Sequence, residues 1–149
     1  MNKNAMLYIV DDDDSMLYSL EWFFTSMNIA VKVYNNANDF LKYYNPDDQG
    51  CLISDVRMPG MDGFELLNKL KAQKSQLKII FMTAFGEIPL AIRAIKAGAV
   101  DFITKPFNKK GLLELVQKCL QHHSNNLIDK ENLLSEQELK ALESLWKEK

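Results

Sequence analysis

The chain has 149 residues and a formal net charge of −2. Hydrophobic residues make up 47% of the sequence and charged residues 26%, which is ordinary for a soluble globular protein. The length fits one domain with a short appendage. Apolar runs reach only about five residues and the N-terminus MNKNAMLYIV lacks the long apolar core of a signal peptide, so we expect a cytoplasmic protein without membrane contact. No cluster of lysine and arginine is larger than Lys109-Lys110, which argues against direct binding of nucleic acid by this chain.

Short apolar runs alternate along the chain with segments of helical periodicity. The runs, which we interpret as strands, are Met6–Val10, Ala30–Tyr34, Cys51–Ile53, Leu77–Met82 and Val100–Ile103. Three of the intervening segments each predict one apolar helix face, formed by Met16, Leu20, Phe23, Phe24 and Met27, by Phe64, Leu67 and Leu70, and by Leu112, Val116, Cys119 and Leu120. The alternation predicts an α/β fold of stacked βα units around a parallel sheet. The first, fourth and fifth runs are almost uninterrupted, as expected for strands that are covered on both faces.

Polar residues, proline and glycine mark the predicted helix ends. Asp14 or Ser15 is the expected N-cap of the first helix, and Asp62 is the expected N-cap of the third. Pro89 fits the first turn of the fourth helix, where its missing N–H costs nothing, and Gly98 fits a left-handed residue at the end of that helix.

The domain is predicted to end after the fifth helix, so that residues 1–121 form one unit. Residues 122–133 are mostly polar and predict a linker. Residues 134–149 predict an amphipathic helix, because Ser135 and Glu138 form a capping box ahead of an apolar face. That face consists of Leu139, Leu142, Leu145 and Trp146.

Polar side chains occur at the carboxyl ends of four predicted strands, where open parallel α/β sheets form their ligand sites. They are Asp11 and Asp12 after the first strand, Asp55 at the third, Thr83 at the fourth and Lys105 at the fifth. Clustered carboxylates with room for water suit Mg2+, which would also relieve repulsion within the run of four aspartates. The other two aspartates, Asp13 and Asp14, fall at the start of the first helix, where the helix dipole favours negative charge by about 0.3–1 kcal/mol.

A carboxylate in such a site can attack phosphorus and form an aspartyl phosphate. Phosphoryl transfer mainly requires that the reacting groups are positioned and that charge on the oxygens is neutralised. Asp55 is the best candidate nucleophile, because it is the only acid at the end of the predicted central strand. Mg2+, Lys105 and the Thr83 hydroxyl would position and neutralise the phosphoryl group.

Four segments in chain order, IVDDD, SDVRMPGMDG, MTA and KAGAVDFITKPF, resemble the receiver domain of bacterial two-component response regulators, the CheY-like family. The resemblance covers about residues 4–121 and implies a flavodoxin-like, doubly wound (βα)5 sheet with strand order 2-1-3-4-5. The stretch GEIPLAIRAIKAGAVDFITKPF is especially similar to the nitrogen-fixation-regulator type, whose output is a LuxR-like helix-turn-helix domain.

The resemblance implies a role for each residue of the predicted site. Asp55 would be phosphorylated by a sensor histidine kinase, with Mg2+ as cofactor. The Mg2+ ligands would be Asp12, Asp55, the backbone carbonyl of Arg57 and, largely through water, Asp11. The phosphoryl group would be bound or sensed by Thr83, Ala84, Lys105 and Phe102, with Phe102 as a switch aromatic that turns inward together with Thr83. The Lys105–Pro106 peptide bond would be cis.

The same resemblance implies a phosphorylation switch rather than an enzyme, limited to self-phosphorylation from small donors and slow self-dephosphorylation. We expect a phosphorylation-dependent homodimer, and contact with DNA only through an output domain absent from this chain. The segment LLSEQELKALESL resembles the opening helix of LuxR-type DNA-binding domains, so residues 134–149 would be the start of a truncated domain of that type and the output would be transcription regulation.

Two alternatives remain open. A regulator that naturally ends here would signal by protein contact or act as a phosphate sink. An aspartyl-phosphate phosphatase of the haloacid-dehalogenase-like class would also use Asp, Thr, Lys and Mg2+, but its motif requires Thr or Val where this chain has Met16.

Overall fold

The computed structural model describes residues 5–84 and 87–121, which form five strands and five helices in alternation. The strands are β1 (Ala5–Val10), β2 (Val31–Tyr34), β3 (Gln49–Asp55), β4 (Gln76–Ala84) and β5 (Asp101–Lys105). The helices are α1 (Asp14–Ser26), α2 (Ala37–Tyr43), α3 (Gly63–Ala72), α4 (Ile88–Ala97) and α5 (Lys109–Gln121). None of these helices has the length and apolar character needed to cross a membrane. The predicted linker, 122–133, and the predicted amphipathic helix, 134–149, lie outside the described residues and stay predictions.

The five strands are parallel and lie in the order β2-β1-β3-β4-β5, which confirms the predicted doubly wound, flavodoxin-like sheet. β3 is the central strand, and its register places Asp55 opposite Met82 of β4. β4 in turn places Ala84 opposite Lys105 of β5. The carboxyl ends of β1, β3, β4 and β5 therefore open onto one edge of the sheet, where a ligand site is expected.

Alternate residues of β1 belong to two separate apolar clusters, one on each face of the sheet. Tyr8 and Val10 belong to the first apolar cluster, which α2, α3 and α4 cover. Leu7 and Ile9 belong to the second apolar cluster, which α1 and α5 cover. Burial of one large apolar side chain contributes about 1.5–3 kcal/mol, so both helical layers hold the strand ends in place.

β5 departs from the prediction that its apolar run is covered like a central strand. All of its residues are only half-buried, because β5 lies at the edge of the sheet and has a neighbouring strand on one side only. Phe102 of β5 packs against the first apolar cluster while remaining partly exposed.

The start of α1 also differs from the prediction. Asp13 is the N-cap, not Asp14 or Ser15: its backbone is extended and its carboxylate accepts a hydrogen bond from the Met16 N–H at 3.2 Å. The Asp13 N–H in turn donates to Asp11 Oδ1 at 2.9 Å. This turn after β1 holds Asp13 outside the helix, so that the first helical residue is Asp14.

The apolar face of α1 was predicted with two errors. Leu17, which the predicted face omitted, is buried together with Leu20 and Phe24. Met27, which the predicted face included, is 46% exposed, because the helix ends at Ser26 and Met27 is already its C-cap.

The predicted start of α3 and the predicted boundaries of α4 are confirmed. Asp62 caps α3 and forms a reciprocal capping box with Glu65. Pro89 lies in the first turn of α4, and Gly98, with a φ of 132°, ends that helix. α5 reaches Gln121, the last described residue, so the predicted end of the domain near that position stays a prediction.

Two glycines with positive φ allow a test of the packing between β1 and β3. Gly50 lies opposite Met6, and a Cβ built on it would be 2.1 Å from the Met6 carbonyl oxygen. A Cβ on Gly60 would have no described atom within 4 Å. We therefore expect Gly50→Ala to lower the free energy of unfolding by about 3 kcal/mol or more. Gly60→Ala should lower it by only about 1 kcal/mol, the cost of the left-handed backbone. Urea denaturation measures both, and equal losses would contradict the close approach at Gly50.

Candidate functional site

Three carboxylates meet at the carboxyl ends of β1 and β3. Asp11 and Asp12 directly follow β1, and Asp55 is the last residue of the neighbouring β3. One oxygen from each carboxylate lies within 4.8 Å of the others. Asp11 is fully buried, Asp55 is half-buried and Asp12 is exposed, so the cluster opens to solvent on one side.

Lys105 reaches this cluster from β5, two strands away from β3. Its Nζ lies 2.8 Å from Asp11 Oδ2 and 2.8 Å from Asp55 Oδ2. The Lys105–Pro106 peptide bond, which follows the strand directly, is cis. Three carboxylates and one ammonium leave two net negative charges at this edge of the sheet.

Loop N–H groups hold the two carboxylates that Lys105 contacts. The Asp13 N–H donates to Asp11 Oδ1 at 2.9 Å, and the Arg57 N–H donates to Asp55 Oδ1 at 3.1 Å. Each carboxylate therefore has one oxygen on a backbone N–H and the other on the ammonium. Both carboxylates are fixed in orientation by groups of the protein itself.

Burial and charge act in opposite directions on the ionisable groups of the site. Burial raises the pKa of Asp11 above its ordinary value, although hydrogen bonds from Lys105 and from the Asp13 N–H lower it in part. Burial alone would lower the pKa of Lys105, but its hydrogen bonds to Asp11 and Asp55 outweigh burial, and the pKa is raised. Lys105 is thus held in its charged form. Further positive charge at the site would stabilise the ionised form of Asp11.

Thr83 places a hydroxyl near the end of β4. The residue is fully buried, and its hydroxyl makes no hydrogen bond with any described part of the chain. An unsatisfied buried hydroxyl costs about 1–3 kcal/mol and calls for an explanation such as a missing ion or ligand. The next residue, Ala84, is exposed and lies opposite Lys105 in the β4–β5 register.

The predicted site residues thus fall into two groups. Asp11, Asp12, Asp55 and Lys105 form one contact cluster. Thr83 and Ala84 lie at the end of β4, and Phe102 lies within β5, where its N–H donates to Asp101 Oδ1 at 2.8 Å. The Arg57 carbonyl stays a predicted ligand. The roles assigned to all of these residues from the resemblance also stay predictions.

One contact beside the site was not predicted from the sequence. The Arg57 guanidinium forms an ion pair with Glu87, the residue that precedes α4. These residues are separated by 30 positions, and their pairing depends on how the loops after β3 and β4 are placed. A glutamate directly before Ile-Pro signals a helix start, but it does not signal this partner.

The residues present fit a divalent cation bound beside an anion. The three carboxylate oxygens provide hard ligands, and the exposed Asp12 leaves room for the water molecules that Mg2+ retains. The Lys105 ammonium and the Thr83 hydroxyl are hydrogen-bond donors, which suit an anion. Phosphoryl transfer requires this combination of carboxylates that bind a metal ion and donors that bind an anion.

The ion pairs of Lys105 can be tested by substitution. Lys105→Met leaves the buried Asp11 without its countercharge, and we expect a loss of about 2–3 kcal/mol in the free energy of unfolding without divalent cations. Lys109→Met is the matched control, because the Lys109 ammonium contacts the exposed Ser19 hydroxyl and should contribute less than about 0.5 kcal/mol. Denaturant titration in EDTA measures both variants. Similar small losses would mean that Lys105 does not compensate the carboxylates.

Comparisons of the sequence with known proteins agree on one family. A model of the response regulator receiver domain matches residues 7–117. The transcriptional regulatory protein FixJ of Bradyrhizobium diazoefficiens is 40% identical over 121 residues, which are 81% of this chain and 59% of that protein. The response regulator protein TmoT of Ectopseudomonas mendocina is 42% identical over 147 residues, which are 98% of this chain and 66% of that protein. The chain thus spans less than two thirds of the length of these relatives.

Solved structures give the same result. Full-length FixJ from B. japonicum matches with a TM-score of 0.76 at 38% identity, over 85% of this chain and 62% of that one. FixJ-N matches with a TM-score of 0.72 at 37% identity, over 80% of this chain and 96% of that one. These matches confirm the predicted similarity to the nitrogen-fixation-regulator type. The chain belongs to the response regulator receiver domain family.

Proposed function

We propose that this chain is the cytoplasmic, phospho-accepting receiver of a bacterial two-component system, in which Asp55 takes a phosphoryl group from a sensor histidine kinase. The observation that carries the proposal is the Lys105 ammonium, 2.8 Å from both Asp11 and Asp55 and next to a third carboxylate, Asp12. Membership of the receiver family supports it independently.

In the proposed reaction, a carboxylate oxygen of Asp55 attacks the phosphorus of a phosphohistidine. A P–O bond forms, the P–N bond breaks, and its electron pair leaves with the imidazole nitrogen. Asp55 suits this role because the Arg57 N–H and the Lys105 ammonium already fix its carboxylate. After transfer, Lys105 would contact the phosphoryl oxygens and offset their charge.

Asp11, Asp12, Asp55 and the Arg57 carbonyl would hold Mg2+, which would supply further positive charge to the phosphoryl oxygens. A bound cation would stabilise the ionised form of Asp11, because burial raises the pKa of this carboxyl in spite of Lys105. Asp12, which is exposed, would leave coordination positions open to water.

Thr83 is the proposed sensor of the phosphoryl group. A phosphoryl oxygen would accept the hydrogen bond that the buried Thr83 hydroxyl makes with none of the described residues. Ala84 would line the same side of the phosphoryl group, and Phe102 would turn inward as Thr83 moves. The result would be a population shift in the face formed by α4, β5 and α5, which would favour a homodimer.

The proposed output is transcription regulation through a further domain, and the chain itself is a switch rather than an enzyme. Its own chemistry would be limited to self-phosphorylation from small donors and slow self-dephosphorylation. Two observations support the output: a relative is named a transcriptional regulatory protein, and the TmoT alignment of 147 residues extends past the family match at residue 117.

The phosphoacceptor can be identified by intact-mass spectrometry after incubation with acetyl phosphate and Mg2+. We expect one phosphoryl group on the wild-type chain, and none on Asp55→Asn or in EDTA. Asp47→Asn, which removes an exposed acid before β3, should take up phosphate like the wild type. Uptake by Asp55→Asn, or none by the wild type, would contradict the proposed role of Asp55.

Thr83→Val tests the proposed sensor. The substitution keeps the side-chain shape and removes the unpartnered hydroxyl, so we expect up to about 1 kcal/mol of added stability without phosphate. The variant should still be phosphorylated at Asp55 but should dimerise less when phosphorylated. Urea denaturation and sedimentation measure the two effects, with Thr25→Val on the exposed side of α1 as the control. Full phosphorylation-dependent dimerisation of Thr83→Val would rule out the hydroxyl as the sensor.

A further inference from the structure

The Arg57–Glu87 ion pair joins the loop after Asp55 to the start of α4. Arg57 lies two residues after Asp55, and its own N–H donates to Asp55 Oδ1 at 3.1 Å. Its guanidinium contacts the Glu87 carboxylate, with 68% of the Arg57 side chain and 23% of the Glu87 side chain exposed. One arginine thus contacts the proposed phosphoacceptor with its backbone and the next helix with its side chain.

Glu87 uses its carboxylate for this ion pair and not for its own helix. It is the N-cap of α4, where a side-chain oxygen ordinarily accepts a hydrogen bond from an N–H of the first turn. The Glu87 side chain makes no such bond. Its backbone N–H donates to the Ala84 carbonyl at 3.0 Å. The Glu87 carboxylate therefore pairs with a residue outside α4 instead of capping the helix.

Contacts farther along α4 tie it to α3 instead. The Arg93 guanidinium lies 4.2 Å from the centroid of the Phe64 ring, and Lys71 Nζ donates to the Ala97 carbonyl at 2.8 Å. Neither contact includes a residue of the loop after Asp55, whereas the Arg57–Glu87 pair does. Of these three contacts, the Arg57–Glu87 pair is the one that links the loop after Asp55 to the start of α4.

We propose that the Arg57–Glu87 ion pair is a latch that holds the first turn of α4 in the unphosphorylated protein, and that a phosphoryl group on Asp55 draws Arg57 away from Glu87. The proposal rests on the proposed function of Asp55. Phosphorylation adds negative charge and three acceptor oxygens, and a guanidinium can bind phosphate through two parallel N–H bonds. Because Arg57 is mostly exposed, its side chain is free to exchange one anion for the other.

The consequence is a route from Asp55 to α4 that is separate from Thr83 and Phe102. Release of Glu87 leaves the first turn of α4 without its ion pair to the loop after β3. That turn belongs to the face formed by α4, β5 and α5, which is the face proposed to change on activation.

Amide hydrogen exchange of residues 88–92, in which Pro89 carries no N–H and the other four residues report, tests the latch in the full chain. Exposed ion pairs shift an equilibrium by up to about fivefold, so Glu87→Gln should raise exchange in the unphosphorylated protein by about two- to fivefold. Arg57→Gln should have the same effect, and the double variant should show no further increase, because both changes break one contact. Glu21→Gln, an equal charge change on the exposed side of α1, should leave exchange of residues 88–92 unchanged.

Phosphorylation provides the second half of the test. The phosphorylated wild type should show the same increase at residues 88–92 as unphosphorylated Glu87→Gln, and phosphorylation of Glu87→Gln should add little.

Intact mass of the same samples separates failure of the latch from failure of the proposed function. If the wild type gains a phosphoryl group but Glu87→Gln exchanges like the wild type, the latch is overturned and the proposed function stands. Additive effects in the double variant would also overturn the latch. Failure of the wild type to gain phosphate would overturn the proposed function, and the release step with it.

Discussion

The contact of the Lys105 ammonium with Asp11 and Asp55 is the interaction on which the rest of the site depends. Two unit charges of like sign about 4 Å apart repel by about 4 kcal/mol at an effective dielectric constant of 20. Asp11 is also fully buried, so its charge is costly even without its neighbours. The ammonium lies between two carboxylates and offsets part of both costs, and the remaining negative charge would favour a further cation at the site.

The sheet makes this contact possible. β1 and β3 are neighbours and bring the carboxylates together, while β5 lies one strand beyond β4 and is close enough for a lysine side chain to reach them. Apolar clusters on both faces hold the strands, and short loops leave their ends with N–H groups directed at Asp11 and Asp55. The acids therefore have little freedom to separate and relieve their repulsion, and a bound cation would meet carboxylates that are already in place.

The sequence predicted the strands, their order and the polar residues at their ends, because apolar runs and turn residues are local signals and the family motifs are long. It could not identify the N-cap of α1 among three adjacent residues that cap equally well, since the choice depends on the bond from Asp13 to Asp11. An apolar run does not distinguish an edge strand from a central one, so the exposure of β5 was missed. Leu17 has the helical spacing of the buried Leu20 and Phe24, so its burial could have been predicted, whereas the exposure of Met27 depends on where α1 ends.

Two features could not be predicted from the sequence for a different reason. They are the pairing of Arg57 with Glu87 and the buried Thr83 hydroxyl, which has no hydrogen-bond partner among the described residues. The Arg57–Glu87 pair depends on the spacing between two loops that follow different strands, and the state of the Thr83 hydroxyl depends on which groups surround it in the folded chain; no local sequence pattern encodes either. The resemblance implies that Thr83 is a sensor, and its buried hydroxyl, without a partner among the described residues, supports that proposal.

The long separation between Lys105 and its acids also bears on how the protein matures. Asp11 and Lys105 are 94 positions apart, and Asp55 and Lys105 are 50 positions apart. During synthesis the N-terminal part of a chain emerges first, so the acids of β1 and β3 leave the ribosome well before the lysine of β5. Until β5 adds to the open edge of β4, the acids lack their internal cation and the lysine cannot contact a phosphoryl group. Under the proposed function, the chain would become able to signal only when the sheet is complete, and partly synthesised chains would be inactive.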